Sequence, residues 1–214
     1  MPFFIGYFGK SSPEYFDRLK HIAEENAIDE SMISISNNNL HVFAGIYKNE
    51  IQPDCLIPVG NQQGLLTGKI FRTHNYQTVK LFEQQEATII IKNLHNLTKN
   101  YWGRYSGILY DEIEQQISLV RDPLGLNTLF YKQTTDGILF TSELALLHDI
   151  LEEKPSLNYH YFAEYAINQN YVLPSTPLLG IQELLPGIAL TFQNATSIHQ
   201  KHLWDFPKAS LISS

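Results

Sequence analysis

Few residues in this chain stand in a pattern that could do chemistry, and most of those have a simpler reading. Arg121-Asp122 sets opposite charges side by side, as a proton-transfer pair would be set. Pro123 follows, and an Asp before Pro is a turn-forming residue, so Asp122 is read as capping a turn and Arg121 as pairing with a carboxylate elsewhere. Ser142-Glu143 precedes an apolar run and reads as a helix start, with Glu143 as its capping acid. Glu86 opens another apolar run, where its charge complements the positive end of the helix dipole. Cys55 is the single cysteine, in a loop reading of Gln52-Pro53-Asp54-Cys55-Leu56 with no His nearby in sequence. It is expected to be an idle thiol, and one cysteine excludes an internal disulfide framework. The histidines show no metal-ligand spacing. His199 and His202 are three apart, but on a strand they would face opposite sides, so no metal is expected.

The elements that must position these residues are legible from apolar periodicity. Phe3 to Phe8 is apolar and uncharged and predicts a strand buried on both faces. Ser11 and Glu14 have capping-box spacing and Pro13 suits a first turn, so a helix carrying Tyr15, Phe16, Leu19 and Ile22 is predicted next. Asn37-Asn38-Asn39 separates Ile33 to Ser36 from His41 to Tyr47, a hairpin pattern. Apolar pieces flank Gly68, which reads as a turn glycine with unusual backbone angles. The run Glu86 to Leu97 places Ile90, Ile91, Leu94 and Leu97 on one face of one helix. Short strands follow at Tyr105 to Tyr110, Ile117 to Val120, Leu129 to Tyr131 and Ile138 to Thr141. Gly137, in the turn before the last of these, is expected at positive φ. Helices are predicted around Ser142 to Leu151 and Tyr159 to Ile167, then a last hairpin from Gly187 to Phe192 and Ser197 to Trp204. Strand-rich halves with paired helices between them make an α+β arrangement.

Length and composition narrow the rest. A chain of 214 residues is expected to form one compact domain. A net charge of −7 repels phosphate, and no basic run offsets it, so a nucleic-acid partner is not expected. Apolar stretches such as Ala87 to Ile91, with Thr88 inside it, are too short to span a bilayer. The start Met1-Pro2-Phe3-Phe4 has no positive segment ahead of its apolar residues, so no secretory signal and a cytoplasmic location are expected.

Six segments, in order over nearly the whole chain, resemble the N-terminal domain of asparagine synthetases. Met1-Pro2-Phe3-Phe4-Ile5-Gly6-Tyr7-Phe8-Gly9 fits the family's opening Met-Cys-Gly-Ile-x-Gly-x-x-Gly. Thr67-Gly68-Lys69-Ile70-Phe71-Arg72 resembles Asn-Gly-Glu-Ile-Tyr-Asn, and Trp102 to Asp111 resembles the strand ending Leu-Tyr-Asp. The strongest match is Arg121-Asp122-Pro123-Leu124-Gly125-Leu126-Asn127-Thr128-Leu129-Phe130-Tyr131, followed at the family's distance by Phe140-Thr141-Ser142-Glu143-Leu144. Gly180 to Gly187 resembles Gly-Ile-x-x-Leu-Pro-Pro-Gly, and Leu203-Trp204-Asp205 resembles the domain's closing Tyr-Trp-Asp.

The resemblance implies a four-layer αββα sandwich of two antiparallel sheets, the N-terminal-nucleophile (Ntn) hydrolase type. It implies a glutamine amidotransferase type 2-like domain over residues 1–207. Residues 208–214 would then be a tail where an ATP-dependent synthetase domain begins. In this family an N-terminal Cys thiol, with its own α-amine as base, attacks glutamine while a Gly N–H and an Asn side chain hold the oxyanion. Here Pro2 takes the nucleophile position, Thr67 replaces the Asn, and Gly68 is kept. Loss of Met1 would leave Pro2 a secondary amine, but no other residue is seen that would use it. Glu86 falls where the family holds the glutamine ammonium with an Asp. The Arg that clamps the carboxylate should fall near Ala44-Gly45-Ile46, where none is present. The former pocket of Pro2, Thr67, Gly68 and Glu86 is therefore expected to be silent, and Arg121, Asp122, Gly125, Ser142 and Glu143 to be structural.

Three functions remain open on this basis. One is a scaffold or docking half for an ATP-dependent (PP-loop) synthetase, with ATP and Mg expected on that partner and Leu203 to Leu211 as the contact. The nearest analogy is the Cys-lacking branch that closes lasso peptides, which adds a peptide as a possible substrate. A second is a small-molecule binding module using the former glutamine pocket. The third is a component of a glutamine-hydrolysing asparagine synthetase, which Pro2 disfavours.

Overall fold

The computed structural model describes residues 2–10, 13–28, 31–48, 55–168, 172–193 and 197–204. Its first strand explains the rest of the architecture. β1 (Pro2–Gly9) is buried along its full length. Side chains alternate across a strand, so Phe4 and Phe8 enter one apolar layer while Phe3, Ile5 and Tyr7 enter another. A strand apolar on both faces must lie inside a sheet that is itself covered on both sides.

That sheet has the order β11-β9-β10-β1-β3-β2. Its strands are β2 (Ile33–Ser36), β3 (Leu40–Ile46), β9 (Phe130–Gln133), β10 (Gly137–Thr141) and β11 (Gln182–Glu183) around β1. The second sheet runs β13-β12-β8-β7-β5-β4, with β6 (Thr78–Val79) paired to β5. It comprises β4 (Cys55–Val59), β5 (Gly64–Arg72), β7 (Tyr101–Asp111), β8 (Gln116–Arg121), β12 (Ile188–Gln193) and β13 (Ser197–His202). Every strand pairing is antiparallel. Phe4, Phe8, Val42 and Phe140 of the first sheet meet Leu65, Ile108, Leu119 and Phe192 of the second in the central layer. Helices α1 (Pro13–Asn26) and α4 (Leu144–Ile150) cover the outer face of the first sheet through Leu19, Ile22 and Leu146. Helices α2 (Gln84–Lys92) and α3 (His95–Asn100) cover the second through Ala87, Ile90 and Leu97. The result is the αββα sandwich. Helix α5 (Tyr159–Ile167) stands apart, with no buried residue. Among the described residues no helix is long and apolar enough to cross a membrane.

Four local expectations are corrected. The predicted helix from Glu86 to Leu97 is two helices. Asn93 turns to extended backbone (φ −146°) and ends α2, while Ile90, Leu94 and Leu97 stay buried across the break. Gly68 lies inside β5, not in a turn. Gly137 is not at positive φ; its need for glycine is space, since a Cβ would lie 2.5 Å from the Phe8 carbonyl oxygen and from the Tyr7 hydroxyl. Cys55 begins β4 instead of sitting in a loop, while Gln52, Pro53 and Asp54 lie outside the described residues. The Ser11–Glu14 cap likewise rests on a residue outside them.

Phe140 is fully buried between the sheets, with its ring centroid 6.5 Å from that of Phe4. Phe140→Ala is expected to lower stability by about 3–5 kcal/mol, read as a reduced urea midpoint with unchanged slope.

Candidate functional site

Pro2 enters the fold buried, as the first residue of β1, a position where a strand tolerates proline. It lies opposite Ile46 of β3, with Phe3 opposite Gly45 and Phe4 opposite Ala44. Ala44, Gly45 and Ile46, where the resemblance would place a carboxylate-binding Arg, thus lie directly against the start of β1. At Gly45 there is no room for a side chain: a Cβ there would stand 2.5 Å from the Ala27 Cβ and 3.3 Å from the Phe3 ring. The Phe3 ring instead meets Tyr47, with centroids 4.7 Å apart.

The start of β1 is clamped by the end of β10. The Phe4 N–H donates to Ser142 Oγ (3.1 Å). Its carbonyl accepts from Thr141 Oγ1 (2.8 Å) and from the Ser142 N–H (3.1 Å). Thr128 Oγ1 in turn donates to the Ser142 carbonyl (2.7 Å). Glu143 occupies the N-cap of α4 but makes no side-chain cap hydrogen bond, which corrects its reading as a capping acid. It is half-buried, and that burial pushes its carboxyl above the ordinary range. Burial, and then the Glu143 charge, raise the neighbouring Tyr47 phenol.

Thr67 faces the layer between the sheets, where its hydroxyl donates to the Ser106 carbonyl (3.2 Å). The same face of β1 carries Phe4 and, two residues earlier, Pro2. At Gly68 φ is +128°, and a Cβ would fall 2.2 Å from the Arg104 carbonyl oxygen and 2.8 Å from Asn127 Nδ2. The strand cannot carry a side chain there. Cys55 pairs directly across from Gly68 on β4. Asn127 closes the group: its Nδ2 donates to the Thr67 carbonyl (3.0 Å), and its Oδ1 is buried with no partner among the described residues. Nothing in the sequence singles out Asn127, although it stands within the Arg-Asp-Pro motif.

That motif is the frame under the site. Arg121 is 2% exposed. It donates through Nε to the Asn127 carbonyl (2.6 Å), through Nη2 to the Gly125 carbonyl (2.9 Å), and through Nη1 to Glu183 (2.8 Å) and the Leu184 carbonyl. Asp122, fully buried, accepts from the backbone N–H of Leu124 (2.9 Å), Tyr105 (3.3 Å), Leu126 (3.4 Å) and Asn127 (3.4 Å). Gly125 takes φ +65°, which lets the loop double back. Glu183 is the carboxylate that Arg121 pairs with.

Glu86 does not join Pro2, Thr67 and Gly68. It sits in the first turn of α2, on the helix-covered outer face of the second sheet. One oxygen accepts from Arg72 Nη1 and from the Tyr101 hydroxyl (3.0 Å). The other accepts from Arg72 Nη2 (3.0 Å) and the Glu83 N–H (3.3 Å). The Arg72 guanidinium holds the carboxyl below its ordinary range, and burial followed by the Glu86 hydrogen bond pushes the Tyr101 phenol up to about 12. Glu86 therefore ties β5, β7 and α2 together, beside a cavity of about 480 Å³ lined by His74, Ile89 and Lys99 among others.

Two tests follow. Glu86→Gln is expected to cost about 1–3 kcal/mol at neutral pH. Because its folded pKa is depressed, the carboxylate's contribution is full above the ordinary Glu pKa and is lost as pH falls through the folded value. The gap between wild type and variant in urea unfolding should therefore close in acid. Arg121→Ala leaves Glu183 and three carbonyls short of a donor and is expected to cost about 3–5 kcal/mol, read the same way.

The model of the glutamine amidotransferase domain family matches residues 74–204, more than half of the chain. Among solved structures, the chain is similar to the glutamine phosphoribosylpyrophosphate amidotransferase from B. subtilis, complexed with ADP and GMP. Identity is 13%, the TM-score is 0.50, and the match covers 94% of this chain and 49% of that one. It is similar to a second structure, an allosteric regulatory enzyme of purine biosynthesis, at 12% identity and TM-score 0.50, with 94% and 49% covered. The chain spans about half the length of each, and at these identities the likeness shows the fold alone. No match was found among curated proteins. The paired antiparallel sheets between helical layers and the match across residues 74–204 together place this chain in the glutamine amidotransferase domain family.

Proposed function

We propose that this domain is catalytically silent toward glutamine and serves an ATP-dependent, asparagine-synthetase-type amide-forming system as a scaffold or docking half. The observation that carries the reading is Pro2, buried at the nucleophile position with no thiol or hydroxyl to attack an amide. Two further features agree with it. Gly45 and its neighbours offer no cation for a substrate carboxylate, and Thr67 spends its hydroxyl on Ser106. Glu86, the expected ammonium ligand, already receives two donors on each oxygen.

A fold kept without its nucleophile is reasonable where amide formation uses a nitrogen already on the substrate, as in peptide macrolactam closure. The ATP and Mg chemistry then belongs to a PP-loop synthetase domain or partner. Leu203, expected at that contact, is 2% exposed and packs inside this domain, with its carbonyl accepting from Thr98 Oγ1 (2.6 Å). Residues 205–214 lie outside the described residues.

Incubation with glutamine should release no glutamate above background, and a glutamine-analogue electrophile should leave no adduct on residues near Pro2. Glutamate production that Pro2→Ala abolishes would refute the silent reading. Co-expression with a neighbouring PP-loop protein should yield a stable complex; separate elution of two folded proteins would count against the docking role.

A further inference from the structure

Helix α5 and its flanks carry little charge although much of their apolar surface is exposed. Between Pro155 and Ile181 the only Asp, Glu, Lys or Arg is Glu164. Yet Leu157, Tyr159, Phe162, Tyr165, Ile167 and Leu179 are 44–80% exposed. A helix of nine residues is too short to be stable by itself and ordinarily depends on a packed face. Here only Tyr161 and Glu164 are even partly covered. The helix is instead held at its start: Asn158 accepts from the Tyr161 N–H (3.2 Å) and donates to the Thr176 carbonyl (3.0 Å). An aromatic, charge-poor surface of this kind has the composition of an interface core.

Its occupant can be argued from shape and charge. With Tyr161 and Glu164 toward the body, helical spacing puts Tyr159, Phe162, Ala163 and Ala166 on the outward face. Large residues occupy its N-terminal half and small ones its C-terminal half. Antiparallel pairing of two such helices about a twofold axis sets Tyr159 over Ala166 of the other copy and Phe162 over its Ala163, knob into hole, with opposed helix dipoles. Each copy carries a net charge of −7, so most surfaces of two copies repel. This face is an exception. Its one carboxylate, Glu164, points away from it and is paired with His160 at 3.2 Å.

We infer that α5 is a self-association surface through which two copies of this chain pair as an antiparallel, twofold helix dimer. The contact is small, so the dimer is expected to be reversible in the micromolar range. Sedimentation equilibrium of the whole chain, from micromolar to near-millimolar concentration, should show a monomer–dimer equilibrium. Phe162→Glu and Ala166→Glu should each weaken it by at least about 30-fold. Ile113→Glu, at a residue 86% exposed in the turn between β7 and β8, should leave it unchanged. Circular dichroism should show all three variants folded, since none of the replaced side chains is buried. A single monomeric mass at every concentration, as expected if a different protein covers α5, would overturn the inference. A dimer that persists in Phe162→Glu would overturn it as well.

Discussion

A guanidinium and a carboxylate taken out of water must find every partner inside the protein, and that requirement organises this fold. Arg121 and Asp122 stand at the end of β8, nearly or wholly inaccessible to solvent. Desolvating two charges costs several kcal/mol per ion, so the surrounding backbone must fold to repay it. The loop from Pro123 to Asn127 therefore doubles back to present the Gly125 and Asn127 carbonyls to Arg121 and its own N–H groups to Asp122. The same pair draws in Glu183 and Leu184 from the far end of the first sheet and Tyr105 from the centre of the second. The pair thereby adds buried polar ties to the apolar layer between the two sheets.

The frame reaches the site through Asn127. Its backbone is held by Arg121 and Asp122, and its side chain grips the carbonyl of Thr67 beside the strained Gly68. On the opposite sheet, Thr141 and Ser142 fix the backbone of Phe4 two residues after Pro2. The backbone beside Pro2 and at Thr67–Gly68 is thus held by buried hydrogen bonds from both sheets. Positioning depends on backbone hydrogen bonds and packing, which tolerate substitution at the outward positions.

Much of this was readable in advance. Strands and helices with a clear period, such as β1, the β2–β3 hairpin and α1, appear where the spacing predicts them. The break at Asn93 was not readable, because Ile90, Leu94 and Leu97 keep one buried face on either side of it. Gly68 has the unusual backbone angles expected of it, but its place within a strand was not readable, and neither was the role of Gly137. Both are set by atoms from distant strands, the Arg104 carbonyl in one case and Phe8 and Tyr7 in the other. Glu86 looked like a pocket residue by position in the chain, and only the approach of Arg72 and Tyr101 shows what its charge is matched with.

The sequence by itself determined the covalent facts: no nucleophilic side chain at position 2, no arginine among residues 44–46, one cysteine, and strands apolar on both faces that demand cover on each side. Those follow from residue identity and from the two-residue period of a strand. Tertiary structure alone decided which face of which sheet each candidate occupies. Strand register sets Cys55 against Gly68, the layering parts Glu86 from Thr67, and the folding of the chain leaves most of α5 exposed. Such neighbourhoods are made by residues dozens of positions apart, brought together by backbone pairing and core packing that no local pattern encodes.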